Sequence, residues 1–127
     1  RAAARRVDAV KTVHHGGVTI VEGDAGEPLI RRTDDTARLL EACFSAKSKC
    51  AVLYPENVTS RFFDLSSGEA GLILDKLRRF RIRLAVVCAP GSVTFSRHFA
   101  ELRADDLRIF ETREAALEWL GGVEEVR

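Results

Sequence analysis

A chain of 127 residues, 46% hydrophobic and 31% charged, carries enough apolar side chain for one core and enough charge to stay in water. That balance excludes a disordered polypeptide, a collagen and a disulfide miniprotein. Twenty Lys and Arg against nineteen Asp and Glu leave a formal charge of +1, too weak a field to argue for nucleic acid or a membrane surface.

The longest apolar run, Leu84-Ala85-Val86-Val87-Cys88-Ala89, has the length of a strand and falls far short of the ~20 residues of a membrane span. Cys43, Cys50 and Cys88 are an odd count without paired spacing, and no apolar secretory segment precedes the domain, so a reducing cytoplasm is expected. Residues 1–6 (Arg1-Ala2-Ala3-Ala4-Arg5-Arg6) read as a lead-in, 7–121 as a single domain and 122–127 as a tail.

In chain order, Val7–Val13 and Val18–Glu22 read as two short strands, with Gly16-Gly17 supplying the positive φ of a tight hairpin turn. A loop through Gly23-Asp24-Ala25-Gly26-Glu27-Pro28 precedes a strand stub at Leu29-Ile30. Asp34 or Asp35 then caps a helix to about Ala46, with Thr36, Leu39, Leu40, Cys43 and Phe44 on its apolar stripe. Cys50-Ala51-Val52-Leu53-Tyr54, bounded by Pro55, reads as a strand buried on both faces. A second helix follows Phe62-Phe63-Asp64-Leu65, with Ala70, Ile73, Leu74, Leu77 and Phe80 facing inward and Arg78, Arg79 and Arg81 crowding its negative end.

Leu84–Cys88 is a second buried strand, and Pro90-Gly91-Ser92 turns into a third helix carrying Phe95, Phe99 and Leu102. Leu107–Phe110 is the last strand, and Thr112 caps a fourth helix with Ala116, Leu117, Trp119 and Leu120, ended by Gly121-Gly122. Strands alternating with helices after a hairpin predict an α/β fold, a mostly parallel or mixed sheet of about five strands covered by about four helices.

The chemistry is sparse. Ser66 and Glu69 have the spacing of a capping box, and the free amides of that helix start would also favour a phosphoryl group on Ser66 or Ser67. The loops after Tyr54 and Cys88 leave the carboxyl edge of the sheet, where open α/β sheets bind ligands. Asp64, Tyr54, Asn57, Gly91, Ser92 and Thr94 therefore make a candidate rim for a partner or a ligand. Neither phosphate-loop nor dinucleotide fingerprint is present, so no cofactor is expected. His14 and His15, adjacent on a strand, would point to opposite faces, and no metal site is expected from them. His98, beside Phe95 and Phe99, is read as partly buried or on the surface. Cys50 and Cys88 fall near opposite ends of neighbouring strands, too far apart for a disulfide. Lys76, Arg78, Arg79, Arg81 and Arg83 read as a solvated helix end. No activated nucleophile is visible, so no catalytic residue is assigned and the chain is expected not to be an enzyme.

Asp64-Leu65-Ser66-Ser67-Gly68, opening a helix after a buried strand, resembles the Asp-Ser-Ser-Gly signature of STAS domains, the family of bacterial anti-sigma-factor antagonists. Leu107 to Leu120 is similar to the last strand and helix of such proteins. Phe62 to Gly71, with Phe80 to Val87, resembles more closely a small bacterial family, domain of unknown function 4180, over about Val18 to Leu120. The STAS resemblance implies a mostly parallel, four-helix domain whose switch serine sits at the second helix and is phosphorylated by a partner kinase. Carried onto this chain, Ser66 or Ser67 is the switch and Asp64 the preceding acid, with Leu65 shifting the register by one.

These readings lead to a non-catalytic regulatory domain acting on a protein partner, kinase-like or regulatory. The alternative is a binding domain for an anion or an apolar metabolite at the carboxyl-edge loops. A homo-oligomer through Phe110 and Trp119 is open to either.

Overall fold

The computed structural model describes residues 9–63, 68–91 and 107–122, apart from the side chains of residues 60, 63 and 122. Five strands form one sheet in the order β1-β2-β3-β4-β5: Val10–His15, Val18–Gly23, Cys50–Leu53, Arg83–Val87 and Leu107–Phe110. β1 runs antiparallel to β2, and every later neighbour is parallel. The hairpin turn is Gly16-Gly17 alone, both at positive φ (60° and 82°), which is what a two-residue turn of matching twist demands. His14 and His15 accordingly belong to the strand.

Because each parallel strand is added on the same side of the last, right-handed crossovers place their helices on one face of the sheet. α1 (Thr36–Ala46) and α2 (Glu69–Arg78) lie there. α3 (Arg113–Gly122) crosses back over the other face. Side chains alternate between the two cores accordingly. Val21, Ala51, Leu53, Leu84 and Val86 meet Leu39, Cys43, Ile73 and Leu77 of the first layer, with Phe62 plugging its end. Ile20, Cys50, Val52, Ala85 and Val87 meet Ala116, Leu117 and Leu120 of α3.

Among the described residues there are three α-helices against the four expected; the helix expected around Phe95, Phe99 and Leu102, with His98, falls on 92–106, outside the described residues. So do the lead-in at 1–6 and most of the tail. The strand stub at Leu29-Ile30 is a single parallel bridge from Ile30 to Val58. Two helix faces differ from expectation. On α1, Ala42 is buried and Phe44 is exposed, because the layer's contact stripe follows Leu39 and Cys43. Phe80 lies beyond the end of α2 and is also exposed.

The start of α2 differs too. Gly68, at φ 80°, is the N-cap and Glu69 the first helical residue, so Glu69 does not occupy the third position a box with Ser66 requires. Its carboxylate instead accepts a hydrogen bond from Thr33 Oγ1 at 2.8 Å. At α1 the expected acid is present as Asp35, yet its carboxylate turns back to accept from the backbone N–H of Arg31 and Arg32. The third cap holds: Thr112 Oγ1 accepts from Ala115 N–H at 3.2 Å.

Two further pieces of sequence have packing roles. Gly121 is inside α3, and a Cβ there would come within 2.9 Å of His15, so its bareness lets α3 seat on the hairpin. Arg83 is not part of the solvated helix end: from β4 it stacks its guanidinium 4.5 Å from the Trp119 ring centre, with Arg108 at 5.6 Å.

Candidate functional site

The α3-facing phase of β2 is Val18, Ile20 and Glu22, so the alternation that buries Ile20 also carries a carboxylate inward at the strand's end. Glu22 is 2% exposed. Three groups converge on it. Arg113, the residue after the Thr112 cap, brings Nε to 2.8 Å and Nη2 to 3.2 Å as a two-pronged fork. The Tyr54 hydroxyl, one residue beyond β3, donates to the same carboxylate. Lys11, paired with Glu22 across the hairpin, reaches 3.9 Å.

Burial alone would push the Glu22 carboxyl up. The hydrogen bonds from Arg113 and Tyr54, and the charges of Arg113 and Lys11, together outweigh burial and hold it below its ordinary value. The same hydrogen bond raises Arg113, and burial followed by the Glu22 contact raises the Tyr54 phenol. At neutral pH the cluster is a carboxylate, a guanidinium and a protonated phenol.

The Tyr54 ring also lines a cleft of about 420 Å³ at the carboxyl edge, with Pro55, Glu56, Val87 and Ala89. Cys88 lies beside it in sequence, and burial and the nearby Glu56 push its thiol up to about 11, which favours the protonated form. Among the described residues no three His, Cys, Asp or Glu side chains gather as a metal ion would need.

Of the rim read from sequence, Tyr54 lines this cleft and Gly91 is an exposed turn residue at φ 80°. Asn57 is fully buried. Its Oδ1 accepts from Tyr54 N–H at 2.7 Å, and its Nδ2 donates to the carbonyls of Asp24 and Glu27 at 2.9 and 2.7 Å. That amide is a clasp between the loop after β2 and the end of β3, with nothing left for a ligand. Asp64, Ser66, Ser67, Ser92 and Thr94 lie outside the described residues. Glu22, Lys11 and Arg113 were missed. The signal was there: Glu22 falls on the inward phase of a strand, where a charge requires partners.

A second surface stands out on the α1/α2 layer. Among the described residues the exposed large apolar side chains are Phe44 (52%), Leu72 (55%) and Phe80 (41%), all on this layer. Phe44 and Phe80 meet edge to face at 5.2 Å. Beside them runs a groove of about 290 Å³ lined by Asp34, Ala37, Leu40, Lys76, Arg79 and Phe80.

The class is thus an α/β domain with a five-stranded mixed sheet between two unequal helical layers. The chain belongs to the family described as Domain of unknown function (DUF4180), whose profile matches residues 15–120. No match was found among curated proteins. Among solved structures, an enoyl-CoA hydratase, EchA3, from Mycobacterium ulcerans Agy99 is similar at 17% identity and a TM-score of 0.31, over 63% of this chain and 42% of that one. At that score the likeness carries no argument about fold or chemistry, and neither match adds to the STAS resemblance. No helix among the described residues is long and apolar enough to cross a membrane.

Proposed function

We propose that this chain is a non-catalytic, STAS-like regulatory domain that docks a protein partner on its α1/α2 face. The observation that carries the reading is the exposed edge-to-face pair of Phe44 and Phe80 beside the groove, with Leu72 exposed on the same layer. Isolated exposed apolar residues are ordinary, whereas a cluster confined to one layer marks an interaction surface. Leu72 is in the first turn of α2, directly after the segment that holds Ser66 and Ser67. A phosphoryl group on either serine would add about −1.5 to −2 charges shortly before α2 in sequence. A cytoplasmic location is part of this proposal, because reducing conditions suit the buried thiols of Cys43, Cys50 and Cys88.

Affinity capture from native lysate tests this, with bait proteins of wild type, Phe44→Ser, Leu72→Ser, Ser66→Asp and Ser67→Asp, read by mass spectrometry. The expected result is a partner retained by wild type, lost from both apolar variants and lost from one aspartate variant, which also chooses the serine. A partner set unchanged by Phe44→Ser and Leu72→Ser would remove the docking face from the account.

A further inference from the structure

The carboxyl-edge cluster lies on the opposite side of the sheet from the docking face, and that reading leaves it without a role. Its arrangement is unusual in one respect. Arg113 has a side chain 43% exposed, yet its partner Glu22 is only 3% exposed. An exposed arginine ordinarily samples many rotamers. Here the fork to a buried carboxylate fixes the guanidinium plane. Two N–H groups, one on Nε and one on Nη2, are spent on Glu22, and a guanidinium carries five. The Tyr54 hydroxyl engages part of the remainder, and what is left is held in one orientation on a side chain open to water. A receptor group ordered in advance loses less freedom when a ligand arrives.

Arg113 and Lys11 are balanced by Glu22 and by Glu56 of the cleft wall, so attraction for a carboxylate rests on the fixed guanidinium and not on a net positive field. Arg113 also interacts with the Tyr54 hydroxyl, and Tyr54 is one of the residues that line the cleft. The receptor group and the cleft therefore adjoin through one side chain. Pro55, Val87 and Ala89 make the rest of the cleft largely apolar, with Glu56 as its acidic member.

We infer that the cleft is a binding site for a small organic monocarboxylate, its carboxylate on the free donors of Arg113 and its aromatic or branched apolar body against Tyr54, Pro55, Val87 and Ala89. Glu56 disfavours a dianion such as a phosphate monoester, and the apolar walls give little to an inorganic ion. The buried Glu22 is a positioning residue, acting through Arg113 and touching no ligand.

The test is an NMR titration of the isotope-labelled full chain with 3-phenylpropionate, 3-phenylpropionamide and inorganic phosphate. For the carboxylate the expected result is saturable shifts at the Tyr54, Val87 and Ala89 amides and at the Arg113 Nε–H. The amide and phosphate should bind at least tenfold more weakly. Arg113→Lys, which keeps the charge and loses the fork, should weaken the carboxylate at least tenfold. Ala89→Trp fills the cleft from an exposed position and leaves the ion cluster intact, so it should abolish the shifts even if Arg113→Lys folds poorly. Equal affinity for carboxylate and amide, absence of saturable shifts with the carboxylate, or undiminished binding by Ala89→Trp would each overturn the assignment.

Discussion

The two faces of the sheet solve different problems. The face under α1 and α2 is an apolar core from Val10 through Leu107, with Phe62, Leu39, Ile73 and Leu77 fully buried. The face under α3 has a smaller apolar cluster, bounded at the carboxyl edge by Glu22, Tyr54 and Arg113 and at the other end by Arg83 and Arg108 stacked on Trp119. A buried ion pair is weak evidence for stability, since desolvation offsets much of its attraction. The first layer therefore carries most of the apolar core, while the second gives up apolar burial to hold charges in place.

The largest expected effect sits on the first layer. Phe62→Ala should cost about 3–5 kcal/mol, the range for emptying a fully enclosed aromatic site. Leu117→Ala, at the margin of the smaller cluster and 6% exposed, should cost about 2 kcal/mol. Urea unfolding of both variants checks the order. A Leu117→Ala cost equal to that of Phe62→Ala would end the division of labour between the faces.

Next is the hinge between the faces, where β2 leaves the sheet. A Cβ on Gly23 would fall 2.3 Å from Asn57 Oδ1, and that amide is pinned by three hydrogen bonds. Gly23→Ala should therefore destabilise by about 1–3 kcal/mol, and Asn57→Ala by a similar ~1–3 kcal/mol through the orphaned backbone groups. The two share one cause, so the double variant should cost clearly less than the sum. Strict additivity would show that the clasp is not what excludes the methyl group.

The order of elements along the chain, the hairpin and most of the buried helix positions were legible because each rests on local periodicity or a local turn. Val18 to Gly23, Cys50 to Leu53 and Leu107 to Phe110 announce themselves by burial pattern alone. The outer layer was less so: Phe44 and Phe80 fit an apolar stripe by type, and only the position of the neighbouring helix turns them outward. The site was legible by half. Tyr54 and the carboxyl edge follow from topology. Glu22 and Arg113 stand 91 positions apart, and no local pattern links them. Asn57 shows the converse error, because a polar residue in a loop suggests a rim until its amide is seen to be wholly consumed by backbone.

The ion cluster gives a smaller, pH-dependent effect. The Glu22 carboxyl is held below its ordinary value of 4.5, so its contribution to stability is complete above about pH 4.5 and is lost as pH falls through the lower folded value. Glu22→Gln should flatten that part of the acid limb of stability against pH. Arg113→Ala should cost about 1–2 kcal/mol at pH 7, less than an enclosed pair because the guanidinium is 43% exposed and water screens it. Urea midpoints from pH 7 to pH 3 measure both. An unchanged acid limb in Glu22→Gln would mean that burial and the partners cancel, and a steeper one that burial outweighs them.

The smallest effect separates structural caps from the cap that positions a receptor. Thr112→Ala removes the acceptor of the Ala115 N–H and should cost about 1 kcal/mol. Arg113 is the next residue, so the loss of the cap should also loosen the guanidinium, seen as faster exchange of its Nε–H. Asp35→Ala at α1 supplies the control: its carboxylate tethers Arg31 and Arg32 backbone, on the face that carries no ion cluster. It should change stability comparably and leave the Arg113 signal untouched. If both variants moved that signal equally, the two layers would be coupled through the sheet, and the α3 face could not be treated as an independent site.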